Sequence, residues 1–190
     1  MSRLLVTLML SVGLLSACAL SPQIIDLHPQ VQVSGPAYGQ GRQISVTVND
    51  LRDNQILGSR GGVYGNSSTI TINNSLTAAV QTAAQNALSQ LGFNGNSSAK
   101  PAQMTISIET LTYDTTQKSL MYHVDLAAVL KVTTTIDGSI HEGSYTTQGK
   151  HQFGQAPDAD KNASIINKLL SDTIDRAFSD PNLARFILKN

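Results

Sequence analysis

The chain of 190 residues balances 13 basic against 13 acidic side chains, and only 14% of its residues are charged. Such a chain offers no basic field to hold nucleic acid and no charge run to form an electrostatic membrane patch. Its single cysteine, Cys18, excludes an internal disulfide and a cysteine-clustered metal site.

The first element is an export signal. Arg3 is followed by an apolar run from Leu4 to Leu15 and then by Ser16 and Ala17. The run is too short to span a bilayer as a helix. The small pair directly before Cys18 resembles the lipobox of bacterial lipoproteins. That resemblance implies cleavage between Ala17 and Cys18, a diacylglycerol on the Cys18 thiol and an acyl chain on the new amino terminus. No other cofactor is expected. Each buried CH₂ contributes about 0.8 kcal/mol, so one chain anchors weakly and two or three anchor for good. Ala19 and Leu20 follow, where lipoproteins kept in the inner membrane typically carry Asp. The resemblance therefore points to the outer membrane, periplasmic face. Removing residues 1–17 leaves 173 of the 190 residues and takes the 13 basic side chains to 12, because Arg3 is lost. That length suits one domain with a proper core.

Residues 18–42 read as the lipidated cysteine and a flexible tether. Pro22, Pro29 and Pro36 interrupt any period, and Gly35, Gly39 and Gly41 loosen it. Such a segment reaches roughly 80 Å fully extended and about 25–30 Å on average. Within it, Val31–Val33 is extended enough to dock on the domain that follows, residues 43–190.

Ile44, Val46 and Val48 alternate with polar residues and predict the first strand. Asp50, Arg52 and Asp53 close it in a charged turn, and Leu57 to Ser68 is a glycine-rich passage from which Thr69–Ile72 leaves as a short strand. Asn74 or Ser75 caps a helix whose apolar stripe runs Leu76, Val80, Ala83, Ala84, Ala87, Leu88 and Leu91, with Gly92 as its stop. Met104, Ile106 and Ile108 then share one face of a strand. Leu120, Tyr122, Val124, Leu126, Ala128, Leu130 and Val132 share one face of the next. A loop at Thr116–Lys118 places Ile108 opposite Leu126, Ile106 opposite Ala128 and Met104 opposite Leu130. Asp137-Gly138 is a type I′ hairpin signal that pairs Tyr145 with Leu130, His151 with Val124 and Phe153 with Tyr122. Ile165, Ile166, Leu169, Leu170, Ile174, Ala177 and Phe178 form a second helical stripe, and Asp180-Pro181 caps a short third helix. The expected fold is α+β: an antiparallel sheet of the amino-terminal strand plus a three-strand meander, with two amphipathic helices on one face. The order is β-α-β-β-β-α with a short C-terminal helix.

Catalytic and metal signatures are sparse. His141 and His151 sit ten residues apart on one strand, roughly 33 Å, and His123 faces away from His151. No metal site is expected. There is no G-x-S-x-G elbow. Gly143 to Lys150 fails as a phosphate loop: its spacing is too long, and His151 stands where Ser or Thr is required. The remaining cluster is Asp50, Arg52, Asp53, Arg60, Gly61, Gly62, Tyr64 and Gly65. One reading of it is a local ion pair and turn cap. The other is recognition of a ligand or partner, with Arg52 or Arg60 gripping a carboxylate while the glycines let the loop reshape.

Taken together, the lipobox at Cys18, the strand end from Val46 to Arg52, the Asp53–Ile56 turn, the Leu76–Gly92 helix, the Ile106–Tyr113 strand, the Leu170–Ile174 segment and Phe186-Ile187 resemble the YajG family of bacterial lipoproteins. The element order is also similar to small periplasmic domains such as those of peptidoglycan-synthase activators. The resemblance implies an outer-membrane lipoprotein and supplies no catalytic residues. The functional expectation is a non-enzymatic binding or adaptor module for an envelope protein, working through the glycine-rich loop or an open sheet edge. The alternative is a peptidoglycan-binding tether between wall and membrane, and after it an envelope hydrolase. Homo-oligomers are compatible with open edges.

Overall fold

The structure is a computed structural model that describes residues 20–33, 35–62 and 65–190. Ala17, Cys18 and Tyr64 lie outside the described residues. The elements are β1 (Gln23–Ile25), β2 (Ile44–Asp50), β3 (Ile56–Ser59), β4 (Thr69–Ile72), α1 (Leu76–Gln90), β5 (Ala102–Lys118), β6 (Met121–Ile136), β7 (Ser139–Phe153), α2 (Ala159–Phe178) and α3 (Pro181–Lys189). The seven strands form one mixed sheet in the order β1-β4-β3-β5-β6-β7, with β2 also paired to β5.

Period-2 alternation decides which face of the sheet is buried. Met104, Ile106 and Ile108 on β5 and Val124, Leu126, Ala128, Leu130, Val132 and Ile136 on β6 point to the helices and join one core cluster with Val80, Leu88, Ile166, Leu170 and Phe178. Each large aliphatic buried there contributes about 1.5–3 kcal/mol. The helices start where the sequence supplies caps. Ser75 Oγ accepts from Ala78 N at 3.2 Å, and Asp158 Oδ1 accepts from Lys161 N at 2.8 Å. Asp180 caps α3, with Pro181 in its first turn. Gly92, at φ +86°, ends the turn after α1.

The Asp137-Gly138 hairpin has the expected positive φ at both central residues, 49° and 81°. Its ladder pairs Tyr145 with Leu130, His151 with Val124 and Phe153 with Tyr122, as the register argument required. The preceding turn differs. It is not at Thr116–Lys118 but at Ser119-Leu120, and Ile108 pairs with Leu130 instead of Leu126, Ile106 with Val132 and Met104 with Thr134. Extending the ladder through Thr115–Lys118 satisfies more backbone groups than an early loop would. The slip is even-numbered, so every side chain keeps its face. A bulge at Glu109 restores the inward direction for Leu111 and Tyr113. No periodicity argument sees such a residue in advance.

Two further corrections concern topology. The sheet is not purely antiparallel: β2 runs parallel to β5 from Ile44↔Ala102 to Asp50↔Ile108, and β1 runs parallel to β4. For β2 and β5 the physical reason is α1, which lies between them in the chain and returns it to the end where β2 began. Over Leu20–Val33 and Gly35–Arg42, moreover, the expected tether is packed on the domain. Ile25, Leu27, Val31 and Tyr38 are buried, and Tyr38 Oη donates to Phe178 O at 3.0 Å. Arg42 is buried too, donating to the carbonyls of Lys100 and Ile187. The expected docking of Val31–Val33 is present: Gln90 donates to Val31 O and accepts from Val33 N.

Candidate functional site

The charged turn after β2 closes on itself. Arg52 Nε and Nη2 donate to the two carboxylate oxygens of Asp50 at 2.9 and 2.8 Å, and Arg52 N adds a third bond at 3.2 Å. The Arg52 side chain is only 5% exposed. Hydrogen bonds from that guanidinium hold the Asp50 carboxyl below its ordinary pKa, against the opposing effect of burial. Asp53 is exposed beyond this pair. Arg52 is therefore a partner to Asp50 and not a free grip for a ligand.

Arg60 is engaged as well. Its Nη1 donates to Ser21 O at 2.8 Å and its Nη2 to Pro157 O at 3.2 Å. Pro157 O also accepts from Gln23 Nε2 at 3.2 Å, and Gln23 Oε1 accepts from Asn162 Nδ2 at 2.7 Å. Asn162 Oδ1 in turn accepts from Tyr113 Oη at 2.8 Å, deep in the core. This buried chain of polar groups ties β1, the glycine-rich passage, β5 and the start of α2 together. Burial pushes the Tyr113 phenol up, so it stays a donor at any physiological pH. The loop itself is cross-braced: Ser59 Oγ donates to Gly65 O at 2.6 Å, and Ser68 Oγ donates to Gly61 O at 2.8 Å. Gly61 and Gly62 take φ +79° and +85°, which explains the glycines by backbone shape.

Gly58, in the same passage, has a steric reason of its own. A Cβ there would lie 1.7 Å from Tyr113 O, where β3 crosses close to β5. The passage that reads in sequence as a mobile loop thus begins as a strand and ends as a braced turn.

The geometry leaves a different surface open. Among the described residues β7 pairs only with β6, so its 15 residues carry a free outer edge. Between β7 and α2 lies a groove of about 440 Å³ whose walls include Thr147, Lys150, His151, Lys161, Lys168 and Asp172. Of its three lysines, Lys168 holds Asp172 at 2.8 and 2.9 Å and Lys150 lies 3.8 Å from the exposed Asp125 carboxylate on β6. The Thr147 hydroxyl is buried with no hydrogen-bond partner among the described residues. The apolar stripe of α2 and the Asp137-Gly138 hairpin were legible in the sequence, but the juxtaposition of α2 with β7 follows only from the strand order.

At the far end of β7, Tyr145 Oη donates to Asp180 Oδ2 at 2.7 Å, and His141 stacks on Phe186 with 5.5 Å between ring centroids. Burial, then the Asp180 carboxylate, pushes the Tyr145 phenol far up. These contacts fasten α3 to the sheet. Among the described residues no group of three or more His, Cys, Asp or Glu side chains could hold a metal ion, and no helix is long and apolar enough to cross a membrane.

Comparison with known proteins brings the chain to a family. A family model described as "Uncharacterized lipoprotein" matches residues 29–188. No curated protein matches the sequence. Two crystal structures share the fold at low identity. A Xanthomonas campestris protein of family DUF330 is 14% identical with a TM-score of 0.57, covering 86% of this chain and 96% of its own. An uncharacterized protein is 13% identical with a TM-score of 0.52, covering 88% and 99%. A minor lipoprotein from Acinetobacter baumannii is 12% identical over 79% of this chain and 92% of its own, with a TM-score of 0.42.

Proposed function

This chain belongs to the family of uncharacterized lipoproteins whose model spans residues 29–188, and from that premise we propose an outer-membrane-anchored, periplasm-facing adaptor that binds an envelope protein without catalysing a reaction. Its finer likeness is to the YajG lipoproteins. The anchor is the acylated Cys18, and no other cofactor takes part. The observation that carries the binding role is the open edge of β7. A strand of that length with unpaired outer amides and carbonyls is a template for an added strand from a partner. The groove beside it supplies side-chain contacts, and its lysines favour a partner segment bearing carboxylates.

The glycine-rich loop is the weaker docking surface, because Arg52 and Arg60 already hold Asp50, Ser21 and Pro157. Photo-crosslinking in intact cells from probes at Thr146 and Gln148, with a Cys18→Ser chain as the anchoring control, tests the reading. The expected result is one reproducible envelope protein, lost when the anchor is removed. Capture from Gly62 but not from β7 overturns the edge assignment in favour of the loop. Peptidoglycan is the second reading, favoured by the same lysines, since its peptide stems carry carboxylates. A sacculus pull-down that recovers the chain only at background level removes it.

A further inference from the structure

We propose that the Ser119-Leu120 tip of the β5–β6 hairpin rests in the lipid surface and gives the domain a second membrane contact beside its acylated amino terminus. The inference depends on the anchored-lipoprotein reading above and adds an orientation to it.

The hairpin projects well past β3 at this end and only to its turn past β7. β3 touches β5 at Gly58↔Tyr113, and the ladder with β6 runs on to Lys118↔Met121. On the other side β7 stops at Phe153, opposite Tyr122. At the tip, Leu120 is 84% exposed, more than any other large hydrophobic side chain among the described residues, and Met121 beside it is 38% exposed. Nothing in the turn requires them. Ser119 takes the strained φ of +56°, and the turn at the opposite end of the sheet is made of Asp137 and Gly138, with Asp137 paired to Lys100. The turn residues themselves are polar at that end, where Ile140 two positions on is 63% exposed, and at this end a leucine occupies the turn with a methionine beside it.

The amino terminus emerges at the apolar end. A Cβ on Gly62 would lie 3.5 Å from Leu20 Cδ1, and one on Gly61 would lie 3.1 Å from Thr115 Cγ2. Leu20 is thus set at about the level of Thr115. From there the tip at Ser119 is four residues on, about 13 Å at strand rise. Cys18 is two residues before Leu20, within about 7 Å. Acyl chains on Cys18 therefore place the bilayer surface within reach of Leu120.

The local charge agrees with an anionic lipid surface. From Thr115 to Val124 the only charged side chain is the exposed Lys118, and the carboxylates of Asp114 and Asp125 face each other farther up the ladder. A lysine flanking a short apolar tip keeps its stem along the hydrocarbon boundary and its ammonium among headgroup phosphates. Held at both points, the sheet stands upright. β6 runs about 50 Å along its length, so the open edge of β7 is presented along the membrane normal.

The test uses the acylated protein in vesicles of phosphatidylethanolamine with a minority of phosphatidylglycerol. Acylation leaves the chain without a free thiol, so Ser119→Cys provides a unique position for a nitroxide label, and Asp137→Cys provides its counterpart at the opposite end. The expected result is that lipid-soluble oxygen relaxes the label at 119 at least threefold more, relative to a water-soluble nickel complex, than the label at 137. Adding Leu120→Asp to the Ser119→Cys chain returns its label to the aqueous ratio with unchanged thermal unfolding. Equal aqueous ratios at both positions overturn the tip contact and leave the anchor standing. Shielding that vanishes in bilayer discs holding one copy overturns it in favour of contact between copies. A chain that does not float with the vesicles overturns the anchored reading and this inference together.

Discussion

Leu27→Ala distinguishes a packed strap from a free tether. In a tether the change is silent, whereas in the structure Leu27 has no exposed surface. Its backbone is also held at both polar groups: Leu27 N donates to Asn74 Oδ1 at 3.0 Å, and Asn74 Nδ2 donates to Leu27 O at 2.7 Å. A segment pinned in this way cannot slump into the space the side chain leaves. The cavity therefore persists, and the cost falls mid-range for a buried leucine, about 3 kcal/mol. For a domain of this size each kcal/mol lowers Tm by about 2–4 °C, which makes the expected fall about 6–12 °C. Urea unfolding followed by circular dichroism, on the Cys18→Ser chain to avoid lipid, reads the same loss as a lower midpoint at constant slope. A loss under about 1 kcal/mol, below the range for any buried leucine, refutes the packing argument for residues 20–42.

Two more substitutions test the polar framework. Tyr113→Phe leaves Asn162 Oδ1 buried without its donor and costs about 1–3 kcal/mol. Hydrogen exchange at Gln23–Ile25 should quicken with it, because Asn162 also holds Gln23; unchanged protection of β1 would show that the network does not fasten that strand. Asp50→Asn tests the pair with Arg52. The folded-state pKa of Asp50 is lowered, so between the two values the unfolded chain binds more protons and stability rises with pH. The stabilisation is present above the unfolded pKa of about 3.9 and is lost as pH falls through the folded value. The variant should be about 2 kcal/mol less stable at pH 7, with the gap closing in acid; equal gaps at both ends of the titration would remove the ion pair as the cause.

Much of the fold was legible because two short-range rules acted together. Asp137-Gly138 sets the β6–β7 register outright, and period-2 alternation then assigns every side chain of Leu126–Val132 to a face. The β5–β6 register was misplaced for a reason internal to that logic. Alternation is blind to an even slip, and the sequence Thr115-Thr116-Gln117-Lys118 suits a strand as well as a loop. β1 escaped notice because three residues cannot show a period, and Pro22 and Pro29 flank them. Its stability comes from Gln23 and Ile25 meeting α2 and the core, which are long-range contacts.

The candidate site was less legible for the same reason. Arg60 in a glycine-rich passage looks like a ligand grip until Ser21 and Pro157 are found to occupy it, and those residues lie far off in sequence. Where a residue contradicts its local rule, however, the contradiction is informative, since local and global preferences agree through most of a natural fold and part company at functional positions. A two-residue hairpin turn asks for residues that tolerate positive φ, such as Asn, Asp and Gly. Asp137-Gly138 meets that demand; Ser119-Leu120 does not, and it places an 84% exposed leucine at the outermost point of the longest hairpin. Neither turn geometry nor core packing accounts for that leucine. On the proposed membrane contact, the emergence of the chain at the same end, two residues after Cys18, supplies a surface that does.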